Sequence, residues 1–517
     1  MRRKIKYIIL KQFSRGDRIK TLAKTAAWVT ALSVIERFIG FIYRIYLSRT
    51  IGSEGIGVYQ IALTVFGLLL TITSSGIPIT VSRMMTRYRT ENNPHAVQST
   101  VTSAILVCLI ISVPIVAAFY IFGDHLSFLF SDERCGRVLS IVIPGLILTS
   151  VYAVLRGAFW GNKDFAPYSI IEVLEEAVMV VVGILLIHNT TSQTEGITRA
   201  AWAVLISYIF SFVTASVVYL SRGGKFHSPL KTLKPLFLSA TPITCMRTAT
   251  SLINSLIAVV LPARLISAGL SQTTATAQFG AAFGMAFPIL FMPGTLIGSV
   301  ALVLVPELSE NYYKKQTTNL KNNIDKAIKF SVFIACIIIP VLLAYGTQLG
   351  IFFYKSEEAG KYLTFASPAM LPMSLCMIST SMLNSMNMEK KTLLYYSFGA
   401  VFMLAAICFL PRVCGIYSLF IGLLGQFSIT AIFNLVALSK KIKAKPDYLG
   451  FTLKSILFII PSYLLGIFSR GILLRFTSNA LTCFIGGGAT ALFMLALLAI
   501  FDLLSPIGIK LSKIRQR

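Results

Sequence analysis

Residues 33 to 48, SVIERFIGFIYRIYLS, set Glu36, Arg37 and Arg44 inside an otherwise apolar run. A charged side chain near the centre of a bilayer costs at least about 2.5 to 3.5 kcal/mol on insertion scales. Arg37 and Arg44 are seven apart and share one helix face, which should therefore avoid lipid. Snorkelling to the membrane surface is the competing explanation for Arg44, whereas Arg37 lies too deep for it. A second run, SATPITCMRTATSLINSLIAVVLPARL, carries Arg247 and, seven residues on, Asn254; Pro242 is expected to kink it, and Arg264 closes it as an interfacial anchor or, with Arg44 and Asn254, joins Arg37 and Arg247 as a candidate ligand-binding residue of the cavity. A third, PYSIIEVLEEAVMVVVG, holds Glu172, Glu175 and Glu176 at i, i+3 and i+4 on one face. Helix-dipole stabilisation suits Glu172 but fades before Glu176, so the deeper pair is expected to bind Arg37 or a coupling cation, Na+ or H+. Guanidinium grips phosphate bidentately and stays charged at any working pH. Two deep arginines therefore point to an anionic, phosphate-bearing ligand. No G-x-x-x-x-G-K-[ST] motif occurs, so ATP hydrolysis by this chain is not expected.

The elements that must position these residues are membrane spans. Of 517 residues, 55% are hydrophobic and 13% charged, about half the charged share of a soluble domain. Apolar runs of spanning length recur throughout, giving an all-α polytopic fold with fourteen expected spans. They cover 21–46, 57–82, 98–122, 138–159, 167–188, 200–220, 235–263, 276–306, 326–346, 361–387, 392–410, 416–438, 452–470 and 481–505. The termini and the loops after even-numbered spans hold roughly 30 Lys and Arg against about 10 in the opposite loops, so both termini are expected to be cytoplasmic. The net charge of +27 is thereby read as a topology signal and not as a nucleic-acid surface. Residues 1–20 read as a basic, interfacial cytoplasmic segment, too short in apolar core for a signal peptide. The eight cysteines lack C-x-x-C spacing and the four histidines form no ligand pair, so neither metal nor other cofactor is expected.

A weak repeat joins the halves. LRGAFWGNKDFAPYS from Leu155 parallels LNSMNMEKKTLLYYS from Leu383, and GIPITVSRM with Pro78 parallels VLVPELSEN with Pro306, both at a separation of 228 positions. This divides the chain into an N-lobe (21–220), a C-lobe (221–440) and a C-terminal part (441–517) with two further spans and a basic tail. Gly76, Pro78, Pro288, Pro293 and Gly294 are candidate bending points.

The runs IGSEGIGVYQIALTVFGLLLTITSSGIPITVSRM (51–84), RGAFWGNKDFAP (156–167) and AGLSQTTATAQFG (268–280) resemble the stage V sporulation protein B group. These are polysaccharide-biosynthesis flippases of the multidrug/oligosaccharidyl-lipid/polysaccharide superfamily, and the lipid II flippases are relatives of like architecture. The resemblance implies two six-helix lobes around a cationic cavity, alternating access, and passage of an undecaprenyl-pyrophosphate-linked saccharide, lipid II or another wall precursor, to the outer leaflet of the bacterial plasma membrane. It gives Arg37 and Arg247 the pyrophosphate, with Glu36 as partner, and matches Arg156, Gly157, Gly161 and Pro167 to a family turn pattern. Span ten departs from that pattern, with Ser385 and Asn387 in place of glycines. It implies membrane lipids and wall-synthesis enzymes as partners of a monomer that is not itself an enzyme. The alternatives are a cation-coupled multidrug exporter of the same superfamily, favoured by the acidic face of span five, and a non-transporting scaffold for wall or spore-cortex synthesis.

Overall fold

Gly52 interrupts the first helix. In the computed structural model its backbone sits at φ 71°, ψ −178°, a conformation open to glycine alone, and it lies between the first two expected spans. The structure describes residues 2–126, 130–190, 192–229, 232–442, 448–501 and 503. Among them every regular element is a helix. Residues 2–20 of the basic segment form the first turns of α1 (Arg2–Ser74), and much of the basic C-terminal tail lies outside the described residues.

After α1 come α2 (Ile77–Thr90), α3 (Pro94–Leu126), the bent pair α4 (Glu133–Val142) and α5 (Gly145–Gly161), α6 (Phe165–Ile187), α7 (Gln193–Ser221) and α8 (Leu233–Ser267). A broken stretch follows: α9 (Gln272–Phe279), a π-helical turn at Gly280–Ala286, α10 (Phe287–Phe291) and α11 (Gly294–Tyr313). The chain continues through α12 (Thr317–Tyr354), α13 (Glu357–Ala366), α14 (Met370–Ser385), α15 (Glu389–Phe409), the short α16 (Pro411–Cys414) and α17 (Tyr417–Ile442). It closes with α18 (Tyr448–Leu457), α19 (Ile459–Phe476), α20 (Asn479–Leu481) and α21 (Gly487–Ile500). Among the described residues eleven helices are long and apolar enough to cross a membrane, or twelve with the bent pair counted as one span. The longest of them, Trp28–Thr90, covers most of the first expected span and all of the second. The fifth expected span coincides with α6, which is strongly apolar yet carries three glutamates in its first half.

Two compact units divide these helices: Met1–Tyr46, Ala62–Phe128 and Glu133–Leu252 form the first, and Leu47–Ile61, Leu129–Asp132 and Ile253–Arg517 the second. In the first, α2, α3 and α5 pack through Val81, Ala104, Cys108, Leu155 and Ala158, all buried. Gly157 allows the closest approach: a Cβ there would stand 2.8 Å from both Cα and O of Pro78. Small residues at such crossings let backbones meet where lipid supplies no hydrophobic drive. In the second unit Gly280 does the same against the Leu47–Ile61 segment, where an added Cβ would fall 1.9 Å from Ser53 O.

The internal repeat is visible in the turns. Asn92 and Lys315, 223 positions apart, both take a left-handed conformation (φ 54° and 56°), as do Lys163 and Asn387, 224 apart (φ 59° and 61°). The helices that follow these turns start at the same intervals, Pro94 with Thr317 and Phe165 with Glu389. The register of 228 read from residue identities is therefore about one helical turn too long. Apolar helices resemble one another at turn-length offsets, whereas a left-handed residue marks one position.

Candidate functional site

The first unit concentrates the intramembrane charge. Arg37 is exposed on α1 and makes no hydrogen bond or ion pair among the described residues. Glu36 beside it is half-buried and within electrostatic reach of Arg37, Glu172 and Arg156. Arg247 on α8 is also exposed, and its Nη1 donates to Ser75 O at 3.2 Å. That carbonyl belongs to the non-helical turn where α1 ends and Gly76 leads into α2, so it lacks a full intrahelical partner. Gly76 seats this turn on α8, since a Cβ there would lie 2.5 Å from Thr244 Oγ1 and 2.6 Å from Ala240 O. α8 stays helical across Pro242, where the sequence suggested a kink. One guanidinium thus retains all its donors and the other spends one on backbone.

The carboxylates divide by partner. Arg156 Nη1 meets Glu172 Oε1 at 2.9 Å, with the two side chains 31% and 21% exposed. Trp160 covers this guanidinium at 5.5 Å from its ring centroid. The pair is not expected from the sequence pattern, which gives Arg156 to a turn. The signal is nevertheless present there: Arg156 and Glu172 are equidistant from Asp164, so the hairpin of α5 and α6 brings them level. Glu176 instead lies against α1, where Gly40 makes room for it; a Cβ on Gly40 would come within 2.4 Å of Glu176 Oε1. Arg44 is the cation within reach of Glu176, and Ser211 stands beside Glu175. Tyr152, 6% exposed, faces Glu172, Glu175 and Glu36, and its hydroxyl has no hydrogen-bond partner among the described residues. Glu36, Glu172, Glu175 and Glu176 therefore form one cluster, with Arg156 on Glu172 and Arg44 towards Glu176.

Asn254 and Arg264 fall in the second unit. Asn254 is exposed, and Arg264 Nε donates to Cys408 O at 2.8 Å, near the C-terminus of α15. A cation at a helix C-terminus satisfies carbonyls that have no intrahelical donor, which is a structural task. The residues read as bending points occupy breaks and close contacts: Pro78 lies in the first turn of α2, and Pro293 immediately precedes α11. Proline costs little there because the first N–H groups of a helix are unpaired anyway.

The turn after α5 is clamped. Arg89 Nη1 donates to Gly161 O at 3.1 Å and Nη2 to Asn162 Oδ1, while Arg222 at the end of α7 pairs with Asp164. Gly161 packs on Met85, whose Cβ and Sδ would stand 3.0 and 3.2 Å from a Cβ there. Gly157, Gly161 and Arg89 of α2 thus hold one geometry of the turn between α5 and α6. Among the described residues no group of three or more His, Cys, Asp or Glu is arranged to hold a metal ion.

The comparisons with known proteins agree with this architecture. A family model described as polysaccharide biosynthesis protein matches residues 22–312, more than half of the chain. Stage V sporulation protein B of Bacillus subtilis (strain 168) is 23% identical over 367 residues, covering 68% of this chain and 70% of that protein. Lipid II flippase MurJ of the same organism is 21% identical over 408 residues, 72% of this chain and 74% of that one. Among solved structures, a lipid II flippase MurJ in an inward closed conformation superposes with a TM-score of 0.70 at 17% identity, over 92% of this chain and 98% of that one. An inward-facing multidrug resistance MATE family transporter gives 0.67 at 15% identity, over 79% and 94%. The fold is the one these two proteins share.

Proposed function

The chain belongs to the polysaccharide biosynthesis protein family, and from that premise we propose that it moves a polyprenyl-pyrophosphate-linked saccharide from the inner to the outer leaflet of a bacterial plasma membrane. The observation that carries this reading is the pair of exposed guanidinium groups on spanning helices of one unit, Arg37 and Arg247, with most of their donors uncommitted. An uncompensated charge there is costly unless a ligand or water meets it. Pyrophosphate presents several acceptor oxygens to the two guanidinium groups, while Glu172 pairs with Arg156 and Glu176 lies towards Arg44. Both termini lie on the cytoplasmic side in this reading, and the polyprenyl tail stays in lipid while the headgroup crosses.

Native mass spectrometry of the full chain titrated with polyprenyl-pyrophosphate disaccharide tests it, with the same lipid lacking pyrophosphate as control. A charge-assisted hydrogen bond is worth about 1.5 to 3 kcal/mol, so Arg37→Ala and Arg247→Ala should each weaken binding roughly 10- to 150-fold. Equal binding of both lipids, or of wild type and both variants, overturns the proposal. The carboxylate cluster favours a second reading, cation-coupled export of organic cations. A cationic dye that binds wild type and is lost in Glu175→Gln, with no pyrophosphate preference, would support it.

A further inference from the structure

We propose that the second unit carries a saccharide-binding site at its outward end, with Phe365 and Tyr417 as the stacking surface and Glu358 and Gln278 as acceptors for sugar hydroxyls. The site rests on the reading above for its sidedness and for the class of its ligand. Two adjoining cavities of about 480 and 410 Å³ share Lys361, Cys414 and Tyr417. Their walls come from Thr347 near the end of α12, from the α8–α9 connection with Gln278 of α9, from α13 and from α16 with the start of α17. These segments follow the seventh, ninth and eleventh expected spans, which end on the side opposite the basic loops.

The aromatic surface is built and backed. Phe365 and Tyr417 are 49% and 36% exposed, with ring centroids 4.8 Å apart at 65°. Behind them Tyr362 and Phe420 are 5% and 2% exposed and touch Tyr417 edge-on and tilted at 5.8 and 6.2 Å. The exposed rings are therefore held in place before any ligand arrives. Polar groups sit at the rim. Lys361 pairs with Glu357 at 2.8 Å, which leaves the carboxylate of Glu358 on the cavity without an ion pair among the described residues. Gln278 lines the same cavity, and its Oε1 is buried with no hydrogen-bond partner among the described residues.

A pyranose matches this set. Its C–H face suits the negative face of an aromatic ring. Its hydroxyls can donate to Glu358 and to Gln278 Oε1, which would otherwise stay unsatisfied. An acyl chain would leave both acceptors bare, and a phosphate would meet Glu358 as a like charge. A few placed polar groups on an aromatic wall are the usual make-up of a small-ligand site. A glycan delivered outward would then be held by its sugar.

Cys414 lines both cavities and reports on them. The full chain in nanodiscs, and in intact cells, would be treated with a membrane-impermeant maleimide and the modification of Cys414 followed by peptide mass spectrometry. The probes are an N-acetylglucosamine disaccharide, free and linked to undecaprenyl pyrophosphate. The expected result is labelling from outside the cell, slowed several-fold by the free disaccharide in wild type and equally in Arg37→Ala and Arg247→Ala, but not in Phe365→Leu or Glu358→Gln. Retention in the arginine variants separates this site from the pyrophosphate site, so either can fail alone. Thermal unfolding of Glu358→Gln, an exposed position, serves as the check on folding. No slowing by the disaccharide in wild type overturns the proposal, as does slowing that survives both variants. Labelling only from the cytoplasmic face overturns the sidedness and this site with it.

Discussion

Loss of Arg156 together with its partner Glu172 should destabilise the protein by less than the sum of the two single losses. Nη1 and Glu172 Oε1 stand 2.9 Å apart with side chains 31% and 21% exposed. Removing one member of a fully buried pair costs about 3 to 5 kcal/mol, chiefly because the other charge is stranded. Partial exposure lowers this, and about 2 to 3 kcal/mol is expected for Arg156→Met or Glu172→Gln alone. Polar pairs in membrane proteins couple more weakly than burial suggests, with measured values averaging about 0.6 and reaching about 1.7 kcal/mol. Glu36, within reach of both, adds a repulsion that Arg156 screens, so the coupling here should lie near the upper end, between about 1 and 2 kcal/mol. The assay is equilibrium unfolding of wild type, both single variants and the double variant in mixed micelles. Glu175→Gln serves as an internal control because Glu175 has no ion pair among the described residues: neutralising a buried carboxylate whose neighbour is the Ser211 hydroxyl, which an amide can also bond, should leave stability unchanged or raise it. A coupling of zero across the cycle, or a Glu175→Gln variant as damaged as Glu172→Gln, would refute this division of the cluster.

Other expectations follow from close contacts and strained turns. Gly280→Leu should cost about 1 to 3 kcal/mol, or weaken folding outright, because its side chain must displace the backbone at Ser53 and Gly57; differential scanning fluorimetry in detergent checks it, and an unchanged transition would mean the crossing is looser than these distances require. Arg89→Met should remove the clamp on the Gly161 and Asn162 turn at a cost of about 1 to 2 kcal/mol, read as faster limited proteolysis near residue 163 with little change elsewhere. Lys163→Gly should stabilise by about 0.5 to 1 kcal/mol, since a left-handed residue with a Cβ carries about 1 to 2 kcal/mol of strain that the added flexibility of the unfolded glycine only partly offsets. A loss of stability in that variant would show that the lysine side chain makes a compensating contact.

Much of the fold could be read from the sequence because hydrophobic length is a strong signal in a bilayer. The interruption at Gly52, the α5–α6 hairpin and the long α8 all fall where runs of apolar residues begin or end. Contacts across helices were harder to read. Nothing local says that Arg247 packs in the first unit while Asn254, seven residues on along the same helix, belongs to the second. Nor does glycine spacing alone reveal that Gly40 makes room for a carboxylate, Gly157 for a proline and Gly280 for a peptide backbone. These depend on which helix lies opposite, a fact set by the whole chain.

The same contrast bears on how charge is used here. A lone intramembrane ion reads from sequence as a ligand-binding group, yet the structure gives three of the candidates work inside the protein: Arg156 to Glu172, Arg264 to the end of α15, and Glu176 to a seat on α1. Arg37 and Arg247 differ in that burial and pairing do not account for them. Structural charges in a membrane should tolerate joint replacement by apolar residues of similar size, because the pair's mutual attraction only offsets its own desolvation. Ligand-binding charges should not, since the energy they lose is recovered only when the ligand is present. Replacing Arg156 and Glu172 together should therefore spare lipid binding while Arg37→Met weakens it roughly 10- to 150-fold at unchanged stability, and the opposite pattern would transfer the anion site to the α5–α6 hairpin.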